Sequence, residues 1–286
     1  MPRLFRIAHW RSGKFRGRSG RWKKLRRGSH LITCYEQTEK RKSRDVLRAF
    51  AQGCGAQIAT TEAKSLEPGA AVFYGVRPSW VHLWEQARRE GRDWFYIDNA
   101  YWDRCREKYF RVTRNALQCE GLQGTWSGEG ATRLTALGIS IADWRVGGEH
   151  IVVCPNTEEF TRTVLAFPGD WPAAIRTELR RFTDRPLRFR SKNETRSLAE
   201  DLQGAWALVT AVSCAAVEAL VAGVPVFCTE RCSARWMGSS DLSLIETPYM
   251  PDRRLEFMQV LAENQWTLDE FRNGVTWRAL NGHHGK

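Results

Sequence analysis

The sequence predicts an α/β protein of two lobes, each built on a mainly parallel sheet, with a cleft between the lobes. Short apolar runs bounded by Gly or Pro alternate with helical patterns from residue 31 onward, which is typical of parallel strands joined by helices. The alternation begins again at Ile151, after the Gly-, Thr- and Ser-rich residues 119–148. At 286 residues the chain is long enough for two domains of ordinary size.

The elements of the first predicted lobe follow from short apolar runs and from one amphipathic face. Val46, Leu47 and Phe50 share a face at helical spacing, which predicts a helix after the first strand. The order strand, helix, strand, strand, helix, strand then favours a parallel sheet covered by helices. The predicted strands are 31–35, 56–59, 71–74, 94–97 and 110–113, and the predicted helices are 43–52, 80–90 and 132–137.

The second predicted lobe repeats this organisation, so both lobes are expected to be Rossmann-like. Pro172 suits the first turn of one helix, and Gly223 with Pro225 ends a later one. The predicted strands are 151–154, 187–190, 207–210 and 226–228, and the predicted helices are 171–182, 195–203, 214–222, 255–264 and 268–280. The predicted domains are a basic arm, a first lobe and a second lobe with two closing helices, at 1–30, 31–148 and 149–286.

Positive charge is concentrated before the first strand. Residues 1–35 hold eleven of the 44 Lys and Arg and no acid, which leaves 33 basic and 32 acidic residues in the remaining chain. Aromatic rings are interleaved with these charges, at Phe5, Trp10, Phe15 and Trp22. This composition is typical of a segment that lies on phosphates and stacks on bases. The predicted DNA contacts are Lys23, Lys24, Arg26 and Arg27. A solvated tail without a selected role fits equally well.

Composition limits the class of protein. No apolar stretch approaches the roughly 18 residues of a membrane span, and the basic start lacks the apolar core of a secretory signal. We therefore expect a cytoplasmic protein. The eight cysteines lack the paired short spacings of a zinc site, so we expect free thiols and no metal centre.

Residues 209–228 carry the most specific pattern. A strand ends near Thr210, Ser213 is placed to cap the next helix, and Glu218 lies on that helix. A helix N-terminus at the carboxyl end of a parallel strand offers unpaired N–H groups to phosphate, and a carboxylate beyond it accepts hydrogen bonds from ribose hydroxyls. The segment also fits an ordinary strand–helix–strand unit with a capping serine and a solvated glutamate.

Three cations precede this segment. Arg188 and Arg190 are two apart on a predicted strand, so they share a face, and Lys192 lies beyond the strand end. Open α/β sheets bind ligands at the carboxyl ends of their strands. Cations at that place neutralise a nucleotide diphosphate and its departing charge without a metal. The alternative is a set of surface charges on an edge strand.

In the first lobe a carboxylate follows a predicted strand. Asp98 directly follows the strand 94–97. An aspartate at the end of such a strand has the chemistry and the position of a base that deprotonates a hydroxyl acceptor. Asp-Asn also commonly starts a loop, so a turn-forming role is the alternative. Further polar residues near strand ends are predicted to contact the acceptor or DNA. These are Arg77, Tyr101, Arg111 and Arg114.

Residues 209–228 resemble the donor-binding strand and helix of GT-B type glycosyltransferases, in which a Ser or Gly turn, Glu-Ala-Leu and Ala-Gly-x-Pro-Val recur. By this resemblance, Ser213 binds phosphate and Glu218 binds ribose. A longer pattern resembles bacteriophage enzymes that glycosylate hydroxymethylpyrimidines in DNA. It includes Tyr-Gly-x-Arg, Tyr-x-Asp-Asn-x-Tyr, Tyr-x-Arg-Val-Thr and Arg-x-Arg-x-Lys. That resemblance implies UDP-glucose as the donor and Asp98 as the base.

The leading hypothesis is therefore a glycosyltransferase that moves a sugar from a UDP-sugar to the hydroxymethyl group of a pyrimidine in double-stranded DNA. The UDP-sugar is a co-substrate, and no further cofactor is expected. The first alternative is a glycosyltransferase that acts on a cell-surface glycan or a small acceptor, which the near-neutral charge after residue 35 favours. The second is a nucleic-acid binding protein without catalytic activity. Inversion or retention at the anomeric carbon is left open.

Overall fold

The computed structural model of the chain describes residues 31–76, 78–102, 105–118, 128–191 and 194–281. The strands are β1 (Ile32–Glu36), β2 (Gln57–Thr60), β3 (Ala70–Tyr74), β4 (Trp94–Asn99), β5 (Tyr109–Arg114), β6 (His150–Cys154), β7 (Leu187–Phe189), β8 (Ala205–Thr210), β9 (Val226–Phe227) and β10 (Gln265–Thr267). The helices are α1 (Arg41–Cys54), α2 (Pro78–Arg89), α3 (Gly130–Ala136), α4 (Glu158–Thr163), α5 (Trp171–Leu179), α6 (Leu198–Leu202), α7 (Ala215–Val221), α8 (Arg254–Glu263), α9 (Leu268–Arg272) and α10 (Val275–Leu280).

The described residues form two compact units. The first unit comprises those of 31–117, 128–133 and 260–281, and the second comprises Gln118 and 134–259. This division corrects the predicted lobes 31–148 and 149–286, because the end of the chain returns to the first unit. There β10 pairs with β5 in antiparallel register. The predicted basic arm, 1–30, lies outside the described residues.

The sheet of the first unit is parallel at its centre and antiparallel at one side. Among the described residues its six strands follow the order β10-β5-β4-β3-β1-β2. The pairs β1–β2, β1–β3 and β3–β4 are parallel, whereas β5 is antiparallel to both β4 and β10. The predicted parallel start of this unit is therefore confirmed.

Helix α1 packs on this sheet with the apolar stripe predicted from its sequence. Val46, Leu47 and Phe50 are buried in one core cluster with Val72 of β3. The ring of Phe50 meets the ring of Phe271 in α9 edge-on, with centroids 5.4 Å apart. Full burial of a large apolar side chain contributes roughly 1.5–3 kcal/mol. These contacts therefore hold the end of the chain in the first unit.

The predicted helix 268–280 is two helices in the structure. α9 begins with a capping box in which Thr267 and Glu270 exchange side-chain and backbone hydrogen bonds. The chain then turns at Gly274, whose φ of 68° suits glycine. A Cβ at Gly53 would lie 1.8 Å from a carbonyl oxygen of α9, so the close approach of α1 and α9 also requires glycine.

The sheet of the second unit is parallel throughout its described strands, in the order β7-β6-β8-β9. Ile151, Val152 and Val153 of β6 are all fully buried. Burial on both faces explains why such strands form continuous apolar runs in the sequence. Because the four strands run in the same direction, their carboxyl ends lie along one edge of the sheet.

The predicted fold class is confirmed, since the described residues form α/β units with mainly parallel sheets. The longest of their helices, α1, has 14 residues. None of the described helices has the length and apolarity needed to cross a membrane.

Gly223 provides a test of the packing after α7. It has a φ of 75°, and a Cβ there would lie 1.9 Å from the carbonyl oxygen of Asp143. We expect Gly223→Ala to lower the free energy of unfolding by about 3 kcal/mol or more, because a backbone strain of roughly 1–2 kcal/mol adds to a clash that only a main-chain shift relieves. Urea denaturation measures the loss.

Gly204→Ala is the matched control in the same unit. Gly204 has a φ of 67°, but the nearest neighbouring atom would lie 4.0 Å from an added Cβ. This variant should lose only the strain contribution of roughly 1–2 kcal/mol. Equal losses in the two variants would contradict the proposed clash at Gly223.

Candidate functional site

The carboxyl edge of the sheet in the second unit gathers the residues predicted to bind a donor. β6, β7 and β8 end there at Cys154, Phe189 and Thr210. In open parallel sheets, ligands bind beyond the carboxyl ends of the strands. The residues that follow these strands therefore decide the chemistry of the site.

Thr210 holds the turn between β8 and α7. Its hydroxyl donates to the carbonyl oxygen of Cys154 at 2.6 Å and accepts the backbone N–H of Ser213 at 3.3 Å. The side-chain oxygen of Asn156 accepts the N–H of Val212 at 3.2 Å. Because Thr210 is fully buried, loss of these hydrogen bonds would leave buried polar groups without partners. Residues at the ends of β6 and β8 thus fix the turn together.

Ser213 lies one residue before the N-cap of α7, which is Cys214. Its hydroxyl accepts the N–H of Ala215 at 3.2 Å. The N–H groups of Ala216 and Val217 donate to the carbonyl oxygens of Ser213 and Cys214. The prediction of unpaired N–H groups is therefore wrong for these amides, because the turn satisfies them internally. The Ser213 hydroxyl, which here acts as an acceptor, still has a proton to donate to a phosphate.

Glu218 is half-buried on α7. Ser213 precedes the N-cap of this helix, so helical spacing does not fix the angle between the two side chains. The predicted ribose contact of Glu218 stays a prediction.

The loop after β9 supports the same turn. Both the N–H and the hydroxyl of Thr229 donate to the carbonyl oxygen of Ala211, at 3.1 and 2.8 Å. The sequence predicts that a strand ends near Thr210, but it predicts no supporting role for Thr210, Asn156 or Thr229. The sequence does show a threonine at the end of a strand, just before a serine. It does not show that the hydroxyl of this threonine binds the carbonyl oxygen of Cys154 in β6.

A pocket of about 670 Å³ lies at the end of β7, and we call it the arginine pocket. It is lined by Arg188, Phe189, Arg190, Glu194, Thr195, Arg196 and Asp201. Arg188 and Arg190 thus line one pocket, as expected from their spacing, and Lys192 lies outside the described residues. Arg188 is exposed, whereas Arg190 is 17% exposed and forms an ion pair with Asp201. β7 is also an edge strand of the described sheet, as the surface-charge alternative requires.

Asp201 and Arg196 line the arginine pocket as well, although the sequence does not predict a role for either. Asp201 is 7% exposed and accepts hydrogen bonds from both Arg190 and Arg196. Asp201 lies eleven positions after Arg190, and no local pattern joins them. Only the folded chain brings α6 against the end of β7.

Asp98 of β4 is held by three donors within the first unit. Its Oδ2 accepts from Nη2 of Arg111 at 2.7 Å and from the hydroxyl of Tyr96 at 2.9 Å. Its Oδ1 accepts the N–H of Asn99 at 2.8 Å. The side chain is 23% exposed. Because Asp98 lies inside β4, opposite Arg111 in β5, the alternative of a turn-forming residue is wrong. Its role as a base stays a prediction.

Tyr101 and Arg111 lie inside the first unit. Tyr101 is fully buried and Arg111 is 2% exposed, and the guanidinium carbon lies 5.2 Å from the ring centroid of Tyr101. The structure therefore contradicts the predicted contacts of both residues with an acceptor or DNA. A side chain without exposed surface cannot contact a macromolecule.

Arg114 also has an internal role. It is 8% exposed and forms an ion pair with Asp93 at 2.6 Å, and Asn115 donates to the same carboxylate at 2.7 Å. Burial alone would raise the pKa of Asp93, but these hydrogen bonds and the charge of Arg114 lower it. The predicted DNA contact of Arg114 is contradicted by this pairing. The other predicted contacts lie outside the described residues, and these are Arg77, Lys23, Lys24, Arg26 and Arg27.

The described cysteines carry no disulfide, which confirms the predicted free thiols for them. They are Cys34, Cys54, Cys105, Cys154, Cys214, Cys228 and Cys232. Burial raises the pKa of Cys54 to about 11 and that of Cys154 to about 12, so both stay protonated near neutral pH. Among the described residues, no group of three or more His, Cys, Asp or Glu is arranged to hold a metal ion.

The architecture is shared with two solved structures of glycosyltransferases. Thermosulfurimonas dismutans KpsC, named as a beta Kdo 2,4 transferase, matches with a TM-score of 0.51 and 11% identity over 82% of this chain and 92% of that chain. The fold is GT-B-like. KpsC named as a beta Kdo 2,7 transferase, from the same organism, matches with a TM-score of 0.50 and 10% identity over 87% of this chain and 99% of that chain. At such identities the likeness establishes the fold alone. No protein-family model and no curated protein matches the chain.

Thr210 provides a test of the turn before α7. We expect Thr210→Val to lower the free energy of unfolding by about 1–3 kcal/mol, because valine keeps the shape but leaves buried partners unsatisfied. We also expect weaker binding of UDP, since Ser213 loses the hydrogen bond that holds its backbone. Urea denaturation and isothermal titration calorimetry measure the two effects.

Thr177→Val is the control for this variant. The hydroxyl of Thr177 donates to a carbonyl within α5 and is exposed to solvent. Its loss should change the free energy of unfolding by less than about 0.5 kcal/mol and leave nucleotide binding unchanged. If Thr210→Val unfolds like this control, the hydroxyl of Thr210 does not hold the turn.

Proposed function

We propose that the protein is a glycosyltransferase that moves a sugar from a nucleotide diphosphate sugar to a hydroxyl acceptor. The observation that carries this proposal is the carboxyl edge of the second unit, where the Ser213 turn follows β8 and the arginine pocket follows β7. These strands flank β6, so their ends are about 10 Å apart. One nucleotide diphosphate can span this distance. The GT-B-like fold supports the proposal.

The proposed reaction places developing negative charge at this edge. The acceptor oxygen attacks the anomeric carbon of the sugar, and the bond between that carbon and the diphosphate breaks. The departing diphosphate gains a negative charge, which Arg188, Arg190 and the Ser213 hydroxyl would stabilise. Glu218 would bind the ribose. The resemblance to phage enzymes that glycosylate hydroxymethylpyrimidines supports UDP-glucose as the donor to test first.

We propose that Asp98 is the base that takes the proton of the acceptor hydroxyl. The hydrogen bonds from Arg111, Tyr96 and Asn99 hold the carboxylate in one orientation, and a base that is positioned in advance is a more efficient catalyst. A carboxylate oxygen can accept more than one hydrogen bond. Asp98 can therefore take the acceptor proton without losing the contacts that position it.

Two acceptors have support from different observations. Double-stranded DNA with a hydroxymethylpyrimidine is favoured by the eleven Lys and Arg in residues 1–35 and by the resemblance to phage enzymes. A glycan is favoured by the near balance of charge in the remaining chain and by the similar structures, which are named as Kdo transferases. We propose the DNA acceptor as the first candidate and the glycan as the second.

Mass spectrometry of the products tests both candidates. The protein, including residues 1–35, is incubated with UDP-glucose or another nucleotide sugar and with duplex DNA that contains hydroxymethylcytosine or hydroxymethyluracil. We expect one hexose on the modified nucleoside after digestion and none with unmodified DNA. A product only on glycan acceptors would exclude DNA and support the second candidate. No product on either acceptor with any common donor would contradict the proposed transferase.

Asp98→Asn tests the proposed base. We expect the transfer rate to fall by about 10²–10⁴-fold while the Kd for UDP stays the same, because the amide cannot take a proton. Asp45→Asn is the control, since Asp45 is an exposed residue of α1 in the same unit and pairs with Arg41 at 3.7 Å. Full activity in a correctly folded Asp98→Asn protein would exclude the base role. If the wild type binds DNA but transfers no sugar, and Asp98→Asn leaves that DNA affinity unchanged, the result favours a nucleic-acid binding protein without catalytic activity.

A further inference from the structure

The arginine pocket holds more cations than carboxylates. Its described lining includes the guanidinium groups of Arg188, Arg190 and Arg196 and the carboxylates of Glu194 and Asp201. The net charge of this lining favours an anion. The charges are not evenly distributed, however, because the buried carboxylate of Asp201 binds both Arg190 and Arg196.

Asp201 holds Arg190 and Arg196 at the same time. Its Oδ2 accepts a hydrogen bond from Arg190, and its Oδ1 accepts from Nη1 of Arg196 at 3.1 Å. The Asp201 side chain is 9% exposed, while that of Arg196 is 55% exposed. The backbone of Asp201 is fixed as well. Its N–H donates to the carbonyl of Ser197, and its carbonyl oxygen lies 2.9 Å from Nε2 of His150.

This arrangement leaves hydrogen-bond donors for a ligand. A guanidinium group has five N–H donors, and each contact with Asp201 uses one nitrogen of Arg190 or Arg196. Ordering a mobile arginine side chain costs conformational entropy when a ligand binds. A carboxylate that already orders two arginines removes part of that cost before the ligand arrives.

We propose that Asp201 is a positioning residue that holds Arg190 and Arg196 as a preformed receptor for the diphosphate of the donor, and that Arg196 binds this diphosphate directly. The identity of the ligand rests on the proposed function. The affinity of the pocket for a diphosphate does not rest on the proposed function, because this affinity is measured without sugar transfer.

Two effects of Asp201 on anion binding have opposite signs. The negative charge of its carboxylate repels a diphosphate, so replacement by a neutral side chain would tighten binding if charge alone mattered. The same replacement releases two arginines from their fixed positions, which weakens binding. The proposal requires the second effect to be larger, and this difference in sign makes it testable.

Titration calorimetry of the protein with inorganic pyrophosphate tests which of these two effects of Asp201 on the Kd is larger. We expect Asp201→Asn to raise the Kd about tenfold, the loss expected for about one charge-assisted hydrogen bond. Arg196→Gln should raise the Kd by a similar factor, and its side chain is exposed enough that the fold is not at risk. Glu178→Gln is the control, because Glu178 pairs with Arg181 within and just after α5 and lies outside the pocket lining.

A double-mutant background separates positioning from a general structural role. When Arg190 and Arg196 are both replaced by Gln, there is nothing left for Asp201 to position. Adding Asp201→Asn should then leave the Kd for pyrophosphate unchanged or lower it. A purely structural role would instead raise the Kd in both backgrounds and so overturn the proposal.

The remaining outcomes are also decisive. An unchanged or lower Kd for Asp201→Asn alone, with a urea midpoint like that of the wild type, overturns the positioning role. An unchanged Kd for Arg196→Gln overturns its binding role. If the wild type binds pyrophosphate and the variants behave as expected but no sugar is transferred to any acceptor, the proposed function fails and the positioning role stands. If the wild type binds no pyrophosphate, the pocket is not a diphosphate receptor.

Discussion

The parallel register of β6 with β7 and β8 is the constraint on which the candidate site depends. Val153 lies beside Phe189 on one side and beside Val209 on the other, so the three strands end at the same level. Only this register lets the hydroxyl of Thr210 reach the carbonyl of Cys154 and close the turn before α7. A slip of one residue would turn each side chain of a strand to the opposite face. The turn would then lose its support.

Burial separates the charged residues that hold the fold from those that are able to meet a ligand. In the first unit, Arg111 and Arg114 are buried and paired with the carboxylates of β4 and its neighbouring turn. Their charges must be paired there, because desolvation of an unpaired ion costs more than a protein can supply. In the second unit, Arg188 and Arg196 keep exposed side chains around one pocket. Some arginines thus form internal ion pairs and others are exposed at a pocket, and composition alone does not distinguish the two groups.

The pairing of the first unit's arginines also bears on the acceptor. Three described residues that the sequence predicts as contacts of an acceptor or DNA lie inside the protein, and these are Tyr101, Arg111 and Arg114. Support for a DNA acceptor therefore comes from the basic residues before residue 36 and from the phage-like motifs. The residues predicted to bind the donor, at the Ser213 turn and in the arginine pocket, belong to a single unit.

The sequence by itself determined the α/β class, most of the elements and the strand–turn–helix of residues 209–228, because these follow from local apolar periodicity and from a short motif. It did not reveal β10, whose three residues, Gln265–Thr267, are too few and too polar to show a period. The tertiary structure decided that residues 260–281 join the first unit and that Asp98 and Asp201 bind arginines. The partners lie in other elements or in the loops between elements: Arg111 is in β5, 13 positions from Asp98, and Arg190 and Arg196 precede α6, 11 and 5 positions from Asp201. Sheet register and helix packing select such partners, and a local pattern carries no information about either.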